Sequence, residues 1–228
     1  MNSNKRKFDH LSNNLERILS EKSIFNYESG QRAFLSLGKG NIYEWLDKLL
    51  PNTRLILEPR IMGSIIAIQY INGELNKAIN ANSEDITYEV KSLGNVPQSL
   101  PIKNRIEIQG VLYDEYNKID KIKNMEFPKS QHYQNIWKGL NFCAFQIFHC
   151  QINHFQALQE LKNLNFEIPP TQFTNFISDI GIYLKCWQEG KLFTNYPTRG
   201  IVLKVNSKKL QTQLGENDMV INWAYSIN

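Results

Sequence analysis

The chain has 228 residues, 42 % of them hydrophobic and 21 % charged, a balance that fits a globular domain and excludes disordered and collagen-like classes. Lys and Arg number 26 against 22 Asp and Glu, a net charge of +4 that permits nucleic-acid contact without signalling it. No apolar run approaches the ~18–20 residues of a membrane span, and three cysteines (Cys143, Cys150, Cys186) exclude a disulfide framework and suit a reducing compartment, cytoplasmic or otherwise intracellular.

In chain order, the opening MNSNKRKFDH is basic, and LSNNLERILSEK after it is too polar for a signal-peptide core. It reads as a basic leader and one short amphipathic helix with Leu11, Leu15, Ile18 and Leu19 on a stripe, residues 1–27 in all. A second helix is predicted at Asn41–Leu50, capped by Asn41. Strands follow at Leu55–Leu57 and Ser64–Tyr70, with a hairpin turn at Ile71–Glu74 and a return over Leu75–Asn80. Thr87–Leu93 reads as a helix ending before Gly94, and Ile106–Tyr113 as an alternating strand. Residues 114–139 are polar and irregular, as in a long surface excursion. Asn141–Gln151 is apolar and aromatic, Asn153–Leu164 and Thr174–Glu189 read as helices, and Gly200–Val205 as a buried strand. Strands and helices intermix without a βαβ rhythm, so the class is α+β, one globular unit without repeats.

Two local clusters invite chemistry. His149-Cys150-Gln151-Ile152-Asn153-His154, with Cys143 upstream, has metal-ligand residue types but no second pair of ligands. Buried thiols with surface histidines explain it better than zinc, and nothing marks a nucleophilic thiol. Leu37-Gly38-Lys39-Gly40-Asn41 precedes a helix and could cradle a phosphate, but it lacks P-loop spacing and reads as a plain turn.

Four segments, taken in order and spacing, say more: Ala33-Phe34-Leu35-Ser36-Leu37; Leu57-Glu58-Pro59-Arg60-Ile61-Met62-Gly63; Glu84-Asp85-Ile86-Thr87 with Asn95-Val96-Pro97; and Gly200-Ile201-Val202-Leu203-Lys204-Val205-Asn206. Together they resemble the adenylation (nucleotidyltransferase) domain of NAD-dependent DNA ligases, with its "LSL", "EPKIDG", "GEDIT…NIP", "EVRGE" and "DGVVIKVN" motifs. Asn222-Trp223-Ala224 is similar to the family's "RWAIAYK" strand. The resemblance covers roughly residues 28–228 and implies a DNA-ligase-type nucleotidyltransferase fold, antiparallel sheets flanked by helices. No OB-fold, zinc-finger, helix-hairpin-helix or BRCT-like module accompanies it.

The departures fall on the chemistry. Where the family has its nucleophilic lysine this sequence has Arg60; a lysine amine can shed its proton, whereas a guanidinium stays charged with its lone pairs delocalised. Met62 and Val111 stand where the resemblance implies acidic helpers, Arg199 replaces another aspartate, and an arginine-bearing loop shrinks to Asn80-Ala81-Asn82-Ser83. Asn228 stands about where the last motif's lysine is expected. On this reading no residue is catalytic and none holds a metal. What matches is the nucleotide end: Glu58, Phe145 and Val202 for adenine, Lys204 and Arg60 for phosphate.

The resemblance thus implies an inactive ligase-like domain kept as a binding or scaffolding module for a protein, nucleotide or nucleic-acid partner, with no membrane partner. No tightly held cofactor is expected, only weak binding of AMP, ATP or NAD. Two alternatives stand: an active NAD-dependent ligase fragment in DNA repair or replication, and an adenine-nucleotide sensor. A nucleic-acid role would draw on the leader and on the lysine-rich stretch Lys118–Lys129. If the pocket has closed, Arg60 must be paired, and the strand's two-residue alternation nominates Glu58 or Glu107 as its carboxylate. An open pocket with Arg60 and Lys204 both free would instead attract a phosphate-bearing ligand and favour the sensor.

Overall fold

The computed structural model describes residues 25, 36–38, 40–114, 137, 139–216 and 220–228. The helix expected in the leader and the stretch Lys118–Lys129 lie outside the described residues. Among them, nine strands form two sheets. One has the order β1-β9-β8-β2-β7, from Ser36–Gly38 (β1), Val220–Ile227 (β9), Thr198–Val205 (β8), Leu55–Ile61 (β2) and Gln172–Thr174 (β7). The other has the order β4-β3-β5-β6, from Glu74–Asn80, Ser64–Ile71, Ile106–Tyr113 and Asn141–Ile147. All pairings are antiparallel except β1 with β9. Helices α1 (Ile42–Leu46), α2 (Thr87–Lys91), α3 (His154–Asn163), α4 (Ile177–Gln188) and α5 (Lys208–Leu214) complete the α+β fold.

Alternation along each strand decides which face meets a core and which meets the space between the sheets. On β5, Ile106, Ile108 and Leu112 enter a core with Ile66, Ile68 and Tyr70 of β3 and with Val90 and Leu158 from the helices. Each such side chain, fully buried, contributes roughly 1.5–3 kcal/mol. The other face of β5 carries Glu107, Gln109, Val111 and Tyr113, also buried. On β2 and β8, Leu55, Leu57, Ile201, Leu203 and Val205 join a second core with Trp45, Ile180 and Trp223. Glu58, Val202 and Lys204 therefore point the opposite way, into the space between the two sheets. Cys143 and Phe145 of β6 do the same, because Phe142 and Ala144 belong to the core.

Turns follow their chemistry. Asn72 and Gly73 carry φ of 52° and 83°, the positive pair that a two-residue hairpin requires. Gly63 joins the two sheets where a Cβ would lie 2.0 Å from the Leu112 carbonyl oxygen, so only glycine lets β2 turn into β3 against β5. Helix α4 starts three residues later than the periodicity predicts, because Thr174 pairs with Leu55 in β7 and its hydroxyl binds Asp179 at 2.7 Å. Of the Leu37–Asn41 segment, Leu37 and Gly38 belong to β1, which pairs with β9, and the Gly40 carbonyl accepts from the Tyr225 hydroxyl.

Candidate functional site

Between the sheets lies a cavity of about 330 Å³, within the usual range for a small-molecule site. Its lining draws on both sheets: Glu58 and Arg60 from β2, Ile65 from β3, Val111 from β5, Phe145 from β6, and Val202 and Lys204 from β8. Every residue nominated for adenine or phosphate thus borders one space. Met62 does not line it; its sulfur lies 2.9 Å from Arg199 Nε, so the residues in two of the expected acidic positions pack on each other.

At the inner end sits a buried polar group of three. Glu58 is 2 % exposed, Lys204 4 % and His154 5 %. Lys204 Nζ donates to Glu58 Oε2 at 2.7 Å and lies 4.9 Å from the centre of the Phe145 ring. His154 Nε2 meets Glu58 Oε1 at 2.5 Å. Burial by itself raises the Glu58 carboxyl, but Lys204 and His154 outweigh it and hold it down to about 2. Burial and then Lys204 push His154 below its ordinary 6.5, against the pull of Glu58. The ring is therefore neutral at neutral pH, and its link to Glu58 is an N–H···O hydrogen bond rather than an ion pair. Burial also raises the Cys143 thiol well above its ordinary value, with Glu167 and Glu58 adding to the effect, which leaves it a poor nucleophile.

His154 is buried, a correction to the expectation that the histidines of its cluster lie at the surface. It occupies the first turn of α3 and is buried because α3 begins against the end of β8: its N–H donates to Asn206 O at 2.9 Å, and Phe155 N–H to Asn206 Oδ1 at 3.0 Å. Among the described residues no group of His, Cys, Asp or Glu is placed to hold a metal ion.

Arg60 brings a second correction. It pairs with neither Glu58 nor Glu107, and no carboxylate lies within salt-bridge reach of it among the described residues; its guanidinium donates to the side-chain oxygen of Asn228. Three features explain this. The register of β2 on β8 shifts between Pro59 and Ile61, so the alternation linking residues 58 and 60 is broken. Both Glu58 oxygens are already engaged. Glu107 pairs with Gln69 and Arg105, four residues from the Val111–Ile65 end of β5, or about 13 Å along a strand. The pocket is open, with a half-buried cation on its wall.

These titrations predict an acid-sensitive fold. A neutral buried His154 stabilises fully above 6.5 and progressively less as pH falls below it; Glu58 follows the same sign from 4.5 down toward about 2. Urea midpoints are expected to fall on acidification from about pH 6.5, before ordinary carboxylates titrate. His154→Gln, which takes no proton, should flatten the decline between pH 6.5 and 5; an unchanged profile would mean that His154 is not buried neutral.

The site and the two-sheet scaffold around it define a class: the chain has the nucleotidyltransferase fold of DNA ligases. A solved structure from a study of DNA binding with a minimal scaffold by Lig E DNA ligases superposes with a TM-score of 0.55 at 12 % identity, covering 85 % of this chain and 68 % of that one. Curated relatives named DNA ligase include those of Metamycoplasma arthritidis, 26 % identical over 91 % of this chain, and Prochlorococcus marinus strain NATL1A, 26 % identical over 79 %. The chain spans about a third of these relatives, 37 % and 32 % of their lengths. No protein-family model matches the sequence. The chain is thus DNA-ligase-like, as the motifs of its sequence imply.

Proposed function

We propose that this domain binds an adenine nucleotide reversibly in the cleft between its sheets and does not form a covalent adenylate. The observation that carries the reading is Arg60: a cation on the wall of the cavity, with no carboxylate partner among the described residues, in the position where the resembled family has its nucleophilic lysine. A guanidinium there attracts a phosphate through paired N–H donors but has no lone pair to attack it. Lys204, which the resemblance assigns to the phosphate, is compensated by Glu58 and sits beside the Phe145 ring, so in this reading it serves the base end with Phe145 and Val202 and leaves the phosphate to Arg60. AMP, ATP and NAD are the candidate ligands. The Lig E likeness suggests DNA as a macromolecular partner, for which a steep fall of affinity with salt is the signature.

Intact mass after incubation with NAD or ATP and Mg²⁺ should be unchanged. AMP should bind at equilibrium, and Arg60→Ala should weaken AMP by about tenfold while leaving adenosine unaffected. A mass gain of one adenylate, stable to denaturant and released by acid, would overturn this reading in favour of an active nucleotidyltransferase.

A further inference from the structure

We infer that His154 is a positioning residue for base recognition: its hydrogen bond to Glu58 Oε1 fixes the carboxylate beside Lys204 Nζ, so that the cleft presents one acceptor and one donor in a set order. The inference rests on the nucleotide-binding reading and deepens it, by assigning base specificity to a side chain that belongs to neither sheet.

The terminal torsion of a glutamate is broad and two-fold, so one partner alone leaves its carboxylate free to rock. Lys204 engages Oε2 and His154 engages Oε1, which removes that freedom. The histidine is itself anchored. Its backbone N–H donates to the carbonyl of Asn206, two residues beyond Lys204, and Asn153 before it donates its own N–H to Gln156 Oε1 at 3.2 Å and accepts from Lys208 N–H at Oδ1 at 3.0 Å. Donor and acceptor are therefore referenced to one segment of backbone.

Order matters because purines differ in it. Adenine offers an amino donor beside a ring-nitrogen acceptor, which matches Glu58 beside Lys204. Guanine presents a carbonyl acceptor beside an N–H donor, which would set acceptor against carboxylate and donor against ammonium. A buried polar pair left unmatched is a strong ground for rejection. A carboxylate free to turn would discriminate less.

The test measures AMP and GMP affinities of the full chain by titration calorimetry for the wild type, His154→Gln and His154→Asn. The amide of glutamine reaches about as far as Nε2, whereas that of asparagine stops short. His154→Gln should keep the AMP-to-GMP preference within about threefold, and His154→Asn should reduce it by about tenfold or more. In parallel, the ¹⁵N signals of the wild-type His154 imidazole should report the Nε2–H tautomer and shift with AMP but not with GMP, a readout that holds even if His154→Asn fails to fold. An equal preference in all three proteins, or ring signals unmoved by AMP, overturns the inference while nucleotide binding stands. A wild type that binds no AMP overturns the functional reading and this inference with it.

Discussion

Lys204→Met is expected to cost the fold about 3–5 kcal/mol, the usual penalty for stranding one partner of a buried ion pair, and to abolish nucleotide binding. Glu58 is 2 % exposed, and burial is the largest influence on its carboxyl, acting to raise it. Lys204 is the foremost of the groups that reverse this, since His154 is neutral and offers only a hydrogen bond. Without the ammonium, Glu58 must hold an uncompensated charge, take up a proton, or pull away from the cleft. The variant should also reverse the pH response. With the Glu58 carboxyl now raised above 4.5 in the folded state, acid would stabilise rather than destabilise through this group. The double variant Lys204→Met/Glu58→Gln removes both charges and should recover most of the loss. Urea denaturation at pH 5 and pH 7.5 measures both effects; a single variant that costs less than about 1 kcal/mol would place the pair among solvent-screened ones.

The reading of the sequence succeeded where local pattern settles local structure. β5 occupies Ile106–Tyr113, the stretch whose alternation predicts it, and the β3–β4 hairpin turns at Asn72-Gly73. The convergence of Glu58, Phe145, Val202 and Lys204 on one cavity was legible only through the order of motifs that resemble a family, because no periodicity relates residues 58 and 204. His154 was missed for the same reason: its partner is 96 positions away. The signal that could have found it is a polar ring at the first helical position after Asn153, just where the chain must pass the end of a buried strand. The expected Arg60–carboxylate pair failed because alternation was carried through a residue at which the strand slips its register. Elements as short as β7, or as weakly apolar as α5, with only Leu210 and Leu214 to mark a face, carry too little pattern to be read.

Arg60→Lys alone is expected to leave the chain unlabelled by NAD or ATP. The substitution restores an amine, but not the groups that would orient it and receive charge around it, and such groups act as a unit in nucleotidyl transfer. Met62 is packed on Arg199 and offers a thioether where an oxygen would be needed. Val111 is 5 % exposed and presses on the β2–β3 turn, its Cγ2 lying 2.7 Å from the place a Gly63 Cβ would take. A lysine at 60 would gain no carboxylate within reach among the described residues, since Glu58 is held by Lys204 and His154. Each missing group in a preorganised site is worth roughly 10²–10³ in rate, so single repair should remain below detection while Arg60→Lys/Met62→Asp/Val111→Glu gives measurable labelling. That triple variant must also accept a glutamate in the crowded space that Val111 fills, and should lose about 1–3 kcal/mol of stability in doing so. Labelling of the single variant at a rate near that of the triple would show that Met62 and Val111 matter little, and that the arginine by itself is what separates this cleft from a reactive one.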